Sequence, residues 1–179
     1  MKDLPEPLRE VVLNPGEFHF GGGRTRISTL LGSCVSITLW HPRQRIGGMC
    51  HFMLSGRQRP AGAPLDGRYA DEAFALFLER VAAAATQATA YQAKLFGGAN
   101  MLRDLAGENI DIGRRNVARA RELLAAHNIV LLSEHVGGSG RRKLHFDLWS
   151  GDVWLAFPDG SDASIRKAGR PDLTSLQEK

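Results

Sequence analysis

The stretch TLLGSCVSITLWHPRQRIGGMCHFML, Thr29 to Leu54, contains both cysteines of the chain and two of its six histidines. From Cys34 to Trp40 it alternates strictly. Val35, Ile37 and Leu39 fall on one side, and Cys34, Ser36, Thr38 and Trp40 on the other, which is the period of a β-strand. His41-Pro42-Arg43-Gln44 offers a turn, and Arg45 to Leu54 resumes in extended form, so the segment reads as an antiparallel hairpin. A turn centred between Pro42 and Arg43 sets Cys34 directly opposite His51, with Cβ atoms about 4.5 to 5.5 Å apart. A slip of one residue would send the two to opposite faces.

The same alternation ranks the thiols. Cys34 shares its face with Ser36 and Thr38 and not with the apolar set, so it reads less like core filler than Cys50, which faces away from His51. Zinc needs roughly four converging ligands. Adjacent strand residues diverge, and neither Cys-x-x-Cys nor His-x-x-x-His spacing occurs in the chain. Two readings of Cys34 and His51 then stand side by side. They are half-buried neighbours, or they are a nucleophile and its base, in which the imidazole lowers the thiol pKa and the thiolate attacks a carbonyl. Ser28, Thr29 and Thr38 are the local hydroxyls available to orient the imidazole. The backbone N–H groups of Leu-Gly-Ser-Cys are placed to approach a developing oxyanion.

Outward from this hairpin, residues 1–24 read as an irregular lead-in with a short strand near Glu17 to Phe20. Residues 25–157 read as a single domain, and 158–179 as a polar, mobile tail. Ala73, Phe74, Phe77, Leu78 and Val81 have helical spacing, with Asp71 and Glu72 in the first turn where the helix dipole favours acids. AYQAKLFGGAN reads as a strand and glycine turn, MLRDLAG as a short helical piece, and IGRRNVARARELLAAHN as a second helix closed by Asn128. IVLLSEHV reads as a buried strand, and KLHFDLWSGDVWLAF as a hairpin turning at Ser150-Gly151-Asp152. Strands that come singly, as hairpins and between helices imply a mixed sheet and an α+β or layered α/β class.

Composition narrows the function classes. At 43% hydrophobic and 23% charged, with a net charge of +4, the chain has the balance of a globular protein. Its basic clusters, RRNVARAR and GGSGRRK, lack the interleaved aromatics of a single-strand binder, so no nucleic-acid partner is expected. FGGANM and VGGSGRRK lack the spacing of a phosphate loop. The absence of a long apolar run, and the prolines and acids near the N-terminus, lead to the expectation of a cytoplasmic protein with reduced thiols and no membrane insertion.

LGSCVSITLWHP, GGMCHFML, GRYADEAF, KLFGGANM, IGRRNV and VGGSGRRKLHF occur in that order between about Asn14 and Phe157. On these motifs the chain resembles the CheD family of bacterial chemoreceptor glutamine deamidases. The resemblance implies a layered mixed β-sandwich flanked by helices, similar to the catalytic domain of cytotoxic necrotizing factor toxins. It also implies hydrolysis of glutamine side chains in methyl-accepting chemotaxis receptors, giving glutamate and ammonia through a cysteine thioester, without metal or organic cofactor. Carried over by position, Cys34 is the nucleophile and His51 the base and acid. The family's third position, six residues before the cysteine and typically threonine, is Ser28 here, with Thr29 as the fallback. Cys50 stands where the family usually has asparagine. The implied partners are the cytoplasmic regions of the receptors and a CheC-type phosphatase of CheY. The alternative role is an adaptor that binds these partners with little or no catalysis.

Overall fold

The computed structural model describes residues 6–101, 112–158 and 165–168. Among these, ten strands form two five-stranded sheets, and two α-helices accompany them. The first sheet contains β1 (Arg9–Val12), β3 (Thr25–Leu31), β8 (Arg142–Asp147), β9 (Asp152–Ala156) and β10 (Arg166–Lys167), side by side in that order. The second is ordered β2 (Phe18–Gly21), β5 (Ile46–Cys50), β4 (Val35–His41), β6 (Gln92–Gly97) and β7 (Val130–Val136). Two parallel pairings, β1 with β3 and β6 with β7, interrupt otherwise antiparallel ladders. The class is α+β, as the alternation of strand and helix patterns implies.

Two apolar layers hold the molecule together. Ile27, Leu31, Met49, Phe96, Leu144 and Phe146 form the layer between the sheets. Val35, Ile37 and Leu39 pack on the other side of the second sheet against Phe74, Phe77, Val117 and Leu124 of helices α1 (Ala70–Ala83) and α2 (Ile112–Ala126). The order is therefore sheet, sheet, helices, with the described helices on one side only.

This layering explains where simple alternation misleads. Both sides of β4 are buried, and Ser36 and Thr38 are as enclosed as Ile37, because the polar side of the strand faces the first sheet and not water. IVLLSEHV, expected to be buried, is instead the half-exposed strand β7, outermost in its sheet among the described residues. The lead-in contributes β1 and β2, and within the stretch after Pro158 Arg166–Lys167 pairs with β9. MLRDLAG falls largely outside the described residues. Asn128 takes a left-handed φ of 54° just beyond α2, a conformation asparagine tolerates at helix ends.

Glycine pairs set two close approaches. A Cβ at Gly47 would run into the Leu39 carbonyl of β4, so only glycine lets β5 lie against that strand here. Gly97, with φ of +106°, ends β6 where a side chain would strike the Cys34 carbonyl.

Candidate active site

The hairpin of β4 and β5 pairs Thr38 with Met49 and His41 with Ile46, and continues through a bridge between Val35 and Phe52. Val35 N–H donates to the Phe52 carbonyl and Phe52 N–H to that of Val35, each at 3.0 Å. The turn is thus centred between Arg43 and Gln44, one position later than the sequence suggests, and Arg45 absorbs the extra length with a φ of 52°. Cys34 consequently faces Met53, and His51 faces Ser36. The displacement is two residues, so parity survives: Cys34 and His51 remain on one face as diagonal neighbours, with Cα atoms about 7 to 8 Å apart.

That face looks toward the first sheet, at the end of the layer between the sheets. His51 is 2% exposed. Its backbone is fixed from the other edge, where its N–H donates to the Glu17 carbonyl at 3.1 Å and its carbonyl accepts from Gly16 N–H at 2.7 Å. Its Nδ1 lies 2.8 Å from Thr29 Oγ1 on β3. Thr29 Oγ1 in turn donates to the Leu13 carbonyl, also at 2.8 Å. A hydroxyl has a single hydrogen. Since Thr29 gives its hydrogen to Leu13, it accepts at His51, and Nδ1 must carry a proton. In the neutral ring Nε2 is then left with a lone pair, and this atom is buried without a hydrogen-bond partner. Burial also lowers the His51 pKa below its ordinary 6.5, with the Leu13 carbonyl and Glu17 pulling the other way. The result is a neutral base aimed by its neighbours.

Cys34 sits at the mouth of the same layer, half-buried, on the Gly32-Ser33 link from β3 to β4. Its carbonyl accepts from Gly98 N–H at 2.8 Å, and the Gly32 carbonyl accepts from Ala99 N–H at 2.9 Å. The loop after β6 therefore clamps the backbone on either side of the thiol. Among the described residues the N–H groups of Ser33 and Cys34 have no carbonyl acceptor. Burial pushes the Cys34 thiol up from 9.0, with its own N–H opposing. The sequence reading expects the imidazole to lower this pKa. The structure gives the opposite direction, because desolvation dominates and His51 is itself neutral. Cys50 is fully buried on the helix-facing side, its Sγ 3.8 Å from the Ile37 carbonyl, and its pKa is pushed to about 12. It is inert filler, as its position in the alternation suggests.

Ser28 is not brought to His51. It lies on the outer face of β3, where its Oγ is 2.8 Å from His145 Nδ1 on the neighbouring strand β8. The structure brings Thr29, the fallback hydroxyl, to His51, and leaves Cys34 on the same face without a hydrogen bond to the imidazole. A signal for this choice exists in the sequence. Thr29 falls in line with Ile27 and Leu31, the apolar side of its strand, while Ser28 falls in line with Arg26.

Comparison with known proteins identifies relatives of the whole chain. The family model described as "CheD chemotactic sensory transduction" matches residues 53–157. The chain is 70% identical over 168 residues to "Probable chemoreceptor glutamine deamidase CheD 3" of Dechloromonas aromatica, covering 94% of this chain and 99% of that protein. It is 47% identical over 153 residues to a protein of Pseudomonas fluorescens named "Probable chemoreceptor glutamine deamidase CheD", covering 84% of this chain and 86% of the other. A Leptospira interrogans protein of similar name is 39% identical over 164 residues, covering 87% of this chain and 96% of that one.

Proposed function

The chain belongs to the CheD family, and on that premise we propose that it is a glutamine deamidase of chemoreceptors, with Cys34 as nucleophile, His51 as general base and acid, and Thr29 as the group that positions His51. The observation that carries this reading is the relay from Leu13 through Thr29 to His51, which leaves Nε2 unprotonated on the face it shares with Cys34. A neutral thiol and a neutral imidazole form the resting pair.

As Cys34 Sγ attacks the glutamine carboxamide carbon, His51 Nε2 takes the thiol proton. The oxyanion is met by the N–H groups of Ser33 and Cys34. Imidazolium then protonates the amide nitrogen, the C–N bond breaks, and ammonia leaves an acyl thioester on Cys34. Water gives one proton to His51 as its oxygen adds to the thioester. Collapse returns that proton to sulfur and releases glutamate.

We place the protein in the cytoplasm with the cytoplasmic regions of receptors as substrates. No helix among the described residues is long and apolar enough to cross a membrane. The test is incubation with a receptor cytoplasmic fragment, followed by mass spectrometry for glutamine converted to glutamate. Conversion by the wild type and none by Cys34→Ala is the expected result. Equal conversion by both overturns the assignment of the nucleophile. A wild type that leaves the fragment unmodified returns the chain to the adaptor role, in which a CheC-type phosphatase is the partner to assay.

A further inference from the structure

Four large apolar side chains face solvent on the segments next to Cys34 and at the start of α2. Met53, Leu54, Met101 and Ile112 are 37%, 42%, 47% and 39% exposed. Their positions are fixed by the fold. Met53 stands opposite Cys34 in the hairpin register, on the same face. Met101 lies over the backbone two residues before the thiol, with its Cγ and Sδ 3.3 and 3.4 Å from where a Cβ of Gly32 would stand. The two methionines therefore flank the nucleophile. Leu54 and Ile112 line one hollow with Ser55, Gly56, Arg115 and Asn116. Asn116 Nδ2 donates to the Met53 carbonyl at 2.7 Å, so the start of α2 and the strand end after His51 form one continuous surface. Arg114 and Arg115 are exposed on that part of the helix.

Among the described residues these side chains are left largely at the surface, and Met53 and Met101 adjoin the segment that carries the thiol. Any protein segment that presents a glutamine to Cys34 must lie across this rim. Methionine is unbranched and polarizable, and it adapts to apolar surfaces of differing shape. An arginine beside the rim favours an acidic neighbour. We propose that Met53 and Met101 are specificity-determining residues that seat apolar side chains flanking the target glutamine, with Arg115 receiving an acidic side chain of the same segment. This inference rests on the assignment of Cys34 as the nucleophile, and it adds which glutamines the site accepts.

The experiment uses the full chain and the variants Met53→Ser, Met101→Ser and Arg115→Glu, with Met53→Leu as the conservative control. Alkylation of Cys34 by iodoacetamide, which needs no rim, reports whether the site is intact. On a receptor cytoplasmic fragment each serine variant is expected to raise KM roughly tenfold, equivalent to about 1.4 kcal/mol. Its kcat and its alkylation rate should stay within about twofold, and Met53→Leu should restore KM. On glutamine peptides the wild type should favour leucine and glutamate neighbours over serine and lysine, and Arg115→Glu should reverse the preference for charge. Unchanged KM, or a loss confined to kcat, overturns the proposal. If the wild type converts no glutamine, the reading of the reaction fails by itself. The rim is then judged by binding of Cys34→Ala protein to the fragment, where equal affinity with and without the two serine substitutions refutes it and weakened affinity upholds it.

Discussion

Thr29 has one hydrogen, and Leu13 receives it. Replacing Thr29 by alanine leaves the buried His51 Nδ1–H without its acceptor, at a cost of about 1 to 3 kcal/mol. In kcat/KM that is a loss of roughly five- to 150-fold. Thr29→Ser should recover most of it, whereas Ser28→Ala, whose hydroxyl meets His145, should change turnover by less than about threefold. Kinetics on a receptor fragment check the ranking, and a larger effect at Ser28 would reassign the third role. The acid and alkaline limbs are a second test at this scale. His51 accepts a proton only when neutral, and burial lowers its pKa, so activity should persist to a pH below 6.5 before it falls. Cys34 is raised above 9.0, so iodoacetamide labelling should climb with pH toward a midpoint above that value, and Cys50 should stay unlabelled in the folded protein. A labelling midpoint near neutrality would signal a preformed thiolate and imidazolium pair. At this scale the sequence was informative about faces and silent about distance. Strand parity put Cys34 and His51 on one face despite the misplaced turn, but not opposite each other, while the choice of Thr29 over Ser28 depended on knowing which side of β3 meets the second sheet.

Between the strands, the clamp of the β6 loop on Cys34 is the feature most open to attack. Gly97→Ala introduces a side chain at a φ of +106° and drives it into the Cys34 carbonyl. Strain of this kind costs about 1 to 3 kcal/mol. The expected outcome is a lower Tm together with a loss of turnover larger than the loss of folded protein, since the displaced backbone carries Cys34. Thermal denaturation and kcat measured on the folded fraction decide the matter, and full kcat at an unchanged Tm would show the clamp to be dispensable. Helices were legible here because both carry an apolar stripe at helical spacing, and in α1 the first-turn acids Asp71 and Glu72 agree with it. Burial of strands was not: alternation sets Ser36 and Thr38 apart from the apolar side of β4 yet both are enclosed, and β7 reads as buried yet is half-exposed, because which sheet faces which layer is settled by pairings between distant segments.

Across the whole molecule, His19, His51, His135 and His145 are all held below the ordinary histidine pKa, each mainly by burial. The sign follows directly. Below about pH 6.5 the unfolded chain binds protons that the folded chain refuses, so stability falls as pH drops from there through the lowered folded values. Tm measured between pH 7.5 and 5.5 should decline, on the scale of about 2 to 4 °C for each kcal/mol lost. A flat or rising Tm would contradict the burial of these rings. The division of the site between two sheets has a different consequence, for synthesis. Cys34 and His51 belong to the sheet beside the helices, but Thr29 sits on β3, whose neighbour β8 is made of residues 142–147. A growing chain therefore exposes its thiol long before it has the strands that seat Thr29. Until the last quarter of the polypeptide leaves the ribosome, the nascent protein should be catalytically silent, incapable of premature attack on the crowded carboxamides around it. A chain stopped before Arg142 is expected to carry both Cys34 and His51 and yet convert no glutamine.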